Sequence, residues 1–179
     1  QGACLLGIDI GTSACKLVVF NEDGQALSSR TVAYQTQYPK PGFVEQNPDD
    51  WWDAVCRGIR EMLAEGTVSA ADIAAIGIDG QGWSAIAMDS AGNVLAPDPI
   101  WLDTRAESIC EELNTRIGAD ELFALSGNPL KAQYVTAKIL WLQRHLPQAY
   151  ANTKWIMQSN GFIAYRLTGS VSMDISQAY

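Results

Sequence analysis

The run Gly7-Ile8-Asp9-Ile10-Gly11-Thr12-Ser13-Ala14-Cys15-Lys16 constrains this chain more than any other. Leu5 to Ile10 is a short apolar run that stops at a glycine and two hydroxyl residues. Lys16 to Phe20 follows at once as a second strand of β-branched and aromatic residues. Asn21-Glu22-Asp23-Gly24 signals a hairpin, because Asp-Gly tolerates the positive φ such turns require. Gln25 to Thr36 supplies a third strand. Two hairpins with tight turns therefore open the protein.

The first of those turns is also the strongest site in the sequence. Gly11 lets backbone approach a ligand closely. Successive N–H groups in a turn make an anion-binding concavity. Thr12 and Ser13 add hydroxyl donors and Lys16 a positive charge, which together describe a phosphate cradle. Asp9 fits beside phosphate only with a cation between them, such as Mg²⁺ held through water. The plainer alternative is a polar β-turn with an exposed Asp. The run is not a Walker loop, since no G-x-x-x-x-G-K-[ST] occurs.

Downstream, Asn47-Pro48-Asp49-Asp50 announces a helix over 48–65. Asn47 can cap, Pro48 suits the first helical position, and the acids suit the positive dipole end. Trp52, Val55, Ile59 and Met62 follow at helical spacing, and Gly66 stops the run. Ile73 to Asp79 reads as a buried strand reached through this α crossover. A further hairpin is expected from Ala85–Asp89 to Val94-Leu95, then helices near 104–117, 119–126, 135–146 and 159–168. Strands are expected at 155–158 and 170–174. The order indicates α/β with a mixed sheet.

Composition narrows the function. Lys plus Arg number 12 against 20 Asp plus Glu, a formal charge of −8, which argues against a nucleic-acid footprint. No apolar run reaches the roughly 18 residues of a membrane span. Cys4, Cys15, Cys56 and Cys110 lack CxxC spacing and read as small buried apolar residues in a reducing, cytoplasmic setting. The lone His145 has no partners at metal-ligand spacing. The opening Gln1-Gly2-Ala3-Cys4 lacks Met, as expected of a trimmed or vector-derived end. The halt at Tyr179 reads as a cut.

GIDIGTSACKLVVFNEDG resembles the first phosphate motif of the sugar kinase, heat-shock protein and actin superfamily. Later residues choose among these. Phe43-Val44-Glu45-Gln46-Asn47-Pro48 with Trp51-Trp52 resembles the W-x-E-Q-x-P-x-x-W-W stretch of the FGGY carbohydrate kinases. Gly77 to Trp83, Ile100 to Arg105, Lys138 to Trp141, Tyr165 to Gly169 and Asp174 to Ala178 resemble the same family in the same order, nearest in flavour to its xylulokinase group.

The resemblance implies a ribonuclease-H-like lobe, the incomplete first half of an enzyme that clamps ATP and sugar between two lobes. It implies ATP-dependent phosphorylation of a sugar or polyol hydroxyl, most simply a ketopentose such as xylulose. Asp9 would hold Mg²⁺ through water, and Gly11, Thr12, Ser13 and Lys16 would face the phosphates. Gln81, Gly82 and Trp83 would sit at the sugar, where xylulokinases usually carry Gln-Met-His, so the sugar's identity stays open. Trp101 and Asp103, with Arg105, would line the same pocket, and Gln133-Tyr134 loosely matches a further wall position in the glycerol kinase branch. The general base would lie downstream of Tyr179, and the intact enzyme would form a homodimer. Asp79 reads as structural or substrate-orienting. The rival reading is a non-catalytic ligand-binding or regulatory module on the same fold.

Overall fold

Alternation of apolar and small or polar residues builds the central sheet. The computed structural model describes residues 2–177. Strands β1 (Cys4–Ile10), β2 (Ala14–Phe20) and β3 (Ala26–Ala33) run antiparallel in sequence. Helix α1 (Pro48–Ala64) then crosses over, and β5 (Ile73–Gly80) returns parallel to β1, giving the order β3-β2-β1-β5. The α/β class with a mixed sheet and flanking helices is thus observed.

Period-two alternation sends Cys4, Leu6, Ile8 and Ile10 of β1 to one face, with Cys15, Leu17 and Val19 of β2. Trp51, Val55 and Met62 of α1 cover that face together with Phe162 and Ile163 of α6 (Ser159–Thr168). Asn47 caps α1 by accepting from the Asp49 amide, and Pro48 opens it. Gly58 lets the helix sit close. A Cβ there would stand 2.5 Å from Leu17 Cδ1.

Two residues of β4 (Glu45–Gln46) pair antiparallel with β7 (Asp98–Pro99), and β6 (Ile86–Met88) pairs with β8 (Trp155–Met157). Helices α2 (Glu107–Arg116), α3 (Ala119–Ser126), α4 (Val135–His145) and α5 (Pro147–Asn152) fill the second half.

Four expectations need correction or refinement. Ile73–Gly80 is not buried, because among the described residues it pairs only with β1, leaving Ala74 to Gly77 exposed at a sheet edge. The 85–95 hairpin forms but is narrow, with Asp89 N donating to Asn93 O at 3.0 Å and Leu95 N to Ala87 O at 2.9 Å around a Met88–Val94 bridge, while the longer ladder of β6 is with β8. Residues 170–174 form no strand and lead into a short 3-10 turn at Ile175–Gln177. Helix α5 was not expected, and Pro147 at its first turn starts it. Gln1, Ala178 and Tyr179 lie outside the described residues, Ala178 being the last residue of the final motif.

Candidate active site

The turn between β1 and β2 is held from behind. Gly11 O accepts from the Tyr34 hydroxyl, Thr12 O from Gln46 Nε2 at 2.6 Å, and Ser13 O from the Tyr34 amide at 3.3 Å. All three carbonyls are engaged on the protein side. The Gly11 amide closes the turn onto Ala14 O, while among the described residues no acceptor meets the amides of Thr12 and Ser13. Carbonyls turned inward and amides left open are the dipole arrangement that attracts an anion.

Gln46 organises this region. Strand alternation points Glu45 and Gln46 to opposite sides. Gln46 donates to Thr12 O and to Thr36 Oγ1 at 2.7 Å, and accepts from Trp51 Nε1 at 3.0 Å and Gln81 Nε2 at 2.9 Å. Trp51 is therefore core packing with its N–H satisfied, as expected. In the sequence Gln46 stands out only as part of a motif. Its place one residue before a capped helix gave no hint that it joins the turn to Gln81.

A cleft of about 460 Å³ opens above the turn, lined by Asp9, Gly11, Thr12, Gly80, Gln81, Gly82, Trp83 and Trp101. It unites most of the expected phosphate-side and sugar-side residues. Trp101 Nε1 donates to Thr12 Oγ1 at 3.0 Å, so the two groups touch. Gln81 has its nitrogen spent on Gln46, and its Oε1 is buried with no partner among the described residues. A buried acceptor without a donor is costly unless a ligand hydroxyl or amine supplies one. Gly80 is required sterically, since a Cβ there would meet Ser159 Oγ at 2.5 Å. Trp83 holds φ 62°, a left-handed conformation unusual for a bulky residue, and its ring packs on Tyr134 at 5.0 Å.

Not every expected residue lines this cleft. Ser13 is exposed at the turn tip. Lys16 stands on the open face of the sheet, where strand register sets it across from Asp9, and Asp9 across from Asp79. Its Nζ lies 3.7 Å from Asp9 Oδ2, with both side chains well exposed. Such a pair contributes little to stability. A second hollow of about 530 Å³ lies there, lined by Asp9, Lys16, Gly77, Asp79 and neighbours, and Asp9 borders both.

Asp103 is a correction. Instead of facing the cleft it is fully buried, accepting from the Val44 amide at 2.7 Å and from Arg105 N, Nε and Nη2 at 2.8–2.9 Å. Arg105 also reaches Glu45 at 2.7 Å. A desolvated carboxylate needs several donors, and the β4–β7 pairing encloses it with them.

Cys15 and Tyr34 lie beneath the turn. Burial, with Asp9 adding, pushes the Cys15 thiol up to about 12, and burial also raises the Tyr34 hydroxyl. The four cysteines are free, and Cys4, Cys15 and Cys110 are buried. His145 stacks on Trp141. Among the described residues no cluster of three metal-ligating side chains occurs, and no helix is long and apolar enough to cross a membrane. A single half-exposed carboxylate at Asp9 fits Mg²⁺, which keeps most of its waters and takes one or two carboxylates plus phosphate oxygens.

The architecture and this cleft define a lobe of the actin, sugar-kinase and Hsp70 class, with a ribonuclease-H-like sheet. Xylulose kinase from Lactobacillus acidophilus superposes with TM-score 0.90 at 27% identity, covering 98% of this chain and 35% of that one. Gluconate kinase from the same species gives 0.91 at 27%, covering 99% and 36%. Residues 4–179 match the N-terminal domain of the FGGY family of carbohydrate kinases, and the chain belongs to that family. Xylulose kinase of Staphylococcus xylosus is 32% identical over 176 residues, 98% of this chain and 36% of that protein. Glycerol kinase of a Janthinobacterium strain is 31% identical over 97% of the chain and 36% of its own length. The chain thus spans about a third of the relatives it matches.

Proposed function

We propose that this chain supplies the phosphate-facing wall and part of the sugar-facing wall of a kinase that phosphorylates a sugar or polyol hydroxyl from ATP, with a ketopentose such as xylulose as the first candidate. One observation carries the reading. Thr12, whose amide is left open by the β1–β2 turn, lines the same cleft as Asp9, Trp83, Trp101 and Gln81, whose Oε1 has no partner among the described residues.

In this reading the Thr12 and Ser13 amides receive phosphate oxygens, and the neighbours behind the turn keep its carbonyls from repelling them. Gln81 Oε1 accepts from a sugar hydroxyl while Gln46 holds its nitrogen. Trp83 and Trp101 give the sugar apolar faces to lie against. Asp9 would hold Mg²⁺ through water, and that ion, when bound, neutralises charge on the phosphates. Lys16 stands next to Asp9 and adds positive charge on the phosphate side. Asp79 orients or supports. The base that takes the hydroxyl proton lies in residues after Tyr179, so the 179-residue chain by itself releases no ADP.

The test is a coupled ADP-release assay on the full-length protein with ATP, Mg²⁺ and a panel of ketopentoses, glycerol, other polyols and gluconate. Sugar-dependent turnover is expected, strongest with a ketopentose and lost on removing residues after Tyr179. Sugar binding without turnover in the full-length protein would overturn the kinase reading in favour of a ligand-binding module. Turnover by the 179-residue chain, abolished by Asp79→Asn, would show that the base is local.

A further inference from the structure

Lys138, on the buried face of α4, is 2% exposed. Its ammonium donates to two main-chain carbonyls, Trp83 O at 2.6 Å and Ile100 O at 3.0 Å. These belong to the two segments that carry the aromatic walls of the cleft, since Ile100 immediately precedes Trp101. Tyr134 lies one turn earlier in the same helical register and packs its ring on Trp83. One helix end thus grips the Trp83 segment by ring and by cation, and the Trp101 segment by cation alone.

Both segments need such a grip. A left-handed backbone at a residue as bulky as Trp costs on the order of 1–3 kcal/mol and persists only where its surroundings over-determine it. The charges around Lys138 come from the segments it ties together. Asp98 of β7 is fully buried and accepts from the Ala85 amide at 2.7 Å, next to the Trp83 segment. Asp103 and its partner Arg105 lie just beyond Trp101, and Arg105 reaches Glu45 of β4. Burying an ammonium is expensive. The expense shows in Lys138, whose pKa burial lowers to about 8 although Asp98 and Asp103 oppose the shift. An apolar side chain would fill the space without that cost. The cation's distinct contribution is directional, because it selects one arrangement of two carbonyls.

We propose that Lys138 is a positioning residue for the sugar site, pinning the carbonyls of Trp83 and Ile100 so that both indole walls stand fixed relative to Gln81. The inference rests on the sugar-site reading above, and it separates binding of sugar from binding of nucleotide. The turn that carries the Thr12 and Ser13 amides is held through its carbonyls by Tyr34 and Gln46, not by Lys138.

The test uses the full-length protein labelled with 5-fluorotryptophan, its ¹⁹F signals assigned through single Trp→Phe variants. Lys138→Met is expected to raise the sugar KM by about tenfold and to change the ATP KM by less than about twofold. The Trp83 and Trp101 signals should shift or broaden while those of Trp51 and Trp155 stay. Unchanged sugar KM with unmoved Trp83 and Trp101 signals would overturn the proposal, as would an equal rise in both KM values. If Lys138→Met does not fold, the wild type decides. Raising pH from neutrality through the lysine's pKa of about 8 should move the Trp83 and Trp101 signals together, and Lys138→Arg should abolish that titration. Asp98, Asp103, Arg105 and Glu45 are the other charged groups in this cluster, and because burial raises the Asp98 carboxyl, the Lys138→Arg comparison is what assigns the titration to the lysine. Trp83 and Trp101 signals that move independently of each other, or that keep the wild-type titration in Lys138→Arg, would overturn the proposal. If the wild type turns over no sugar, the kinase reading fails separately, and the ¹⁹F response of the two walls still decides whether Lys138 positions them.

Discussion

The chain makes three tight polar turns of similar appearance, and they are held in opposite ways. In the turn after β2, Asn21 Oδ1 accepts from the amides of Asp23 and Gln25. In the turn after β6, Asp89 Oδ1 accepts from those of Ala91 and Asn93. Each of these turns engages its amides two, three and four residues on through the side chain and carbonyl of its own first residue, leaving only the Glu22 or Ser90 amide without an acceptor among the described residues. The turn after β1 has glycine at its head and no such side chain. Its carbonyls are engaged by Tyr34 and Gln46 from distant parts of the sequence, and its Thr12 and Ser13 amides stay open. A turn that completes itself is connective. A turn completed by its neighbours, on one side only, is a receptor.

The largest effect should come from the carboxylate beside the open turn. In the full-length protein Asp9→Ala is expected to lower kcat by orders of magnitude and to change the sugar KM far less, measured by steady-state ADP release. Lys16→Ala should act chiefly through ATP. Unchanged nucleotide KM and turnover would make Lys16 a residue of the sheet surface only.

Gln46→Leu tests whether the open turn is held from behind. It strands Thr12 O, Trp51 Nε1 and Gln81 Nε2 together, so a loss of about 2–4 kcal/mol in denaturant unfolding is expected. The ATP and sugar KM values should both rise, because the same amide serves both walls. A rise in only one would mean that the turn and Gln81 are not coupled.

The ground beneath the turn should show in alkaline stability. The Cys15 thiol ionises near 9.0 when unperturbed and near 12 in the folded chain. The native state therefore keeps a proton that the unfolded chain loses. Its stabilising contribution is whole below pH 9 and falls as pH rises toward 12, by about 1.4 kcal/mol per pH unit for one group. Tyr34 shifts the same way and steepens the loss above its ordinary range. Cys15→Ala should flatten the slope of unfolding free energy just above pH 9, and an unchanged slope would remove Cys15 from this role.

The smallest effects belong to the self-completed turns. Asn21→Ala and Asp89→Ala should each lower the unfolding midpoint slightly and leave both KM values unchanged. A change in ATP KM from either would break the contrast between the turns.

Local chemistry was legible wherever a signal and its effect lie within a few residues. The β1–β2 and β2–β3 hairpins, the Asn47-Pro48 helix start and the Gly169 helix stop all depend on φ preferences and capping that short segments carry in themselves. The β1–β2 turn, proposed above to face phosphate, was readable as a turn for the same reason, and ordered motifs made the family readable. Exposure was not legible at Ile73–Gly80, because an apolar run is the same whether a second neighbour pairs with it or not. Nor was the fate of Asp103, since whether a carboxylate faces a ligand or an arginine depends on the β4–β7 pairing of segments about fifty residues apart. Residue type alone therefore marked the groups proposed to face phosphate and sugar. Only the tertiary structure decided that Gln46 ties the turn to Gln81 and that Lys138 ties the Trp83 carbonyl to that of Ile100, because hydrogen bonds between distant segments exist only once packing has brought their donors and acceptors within about 3 Å.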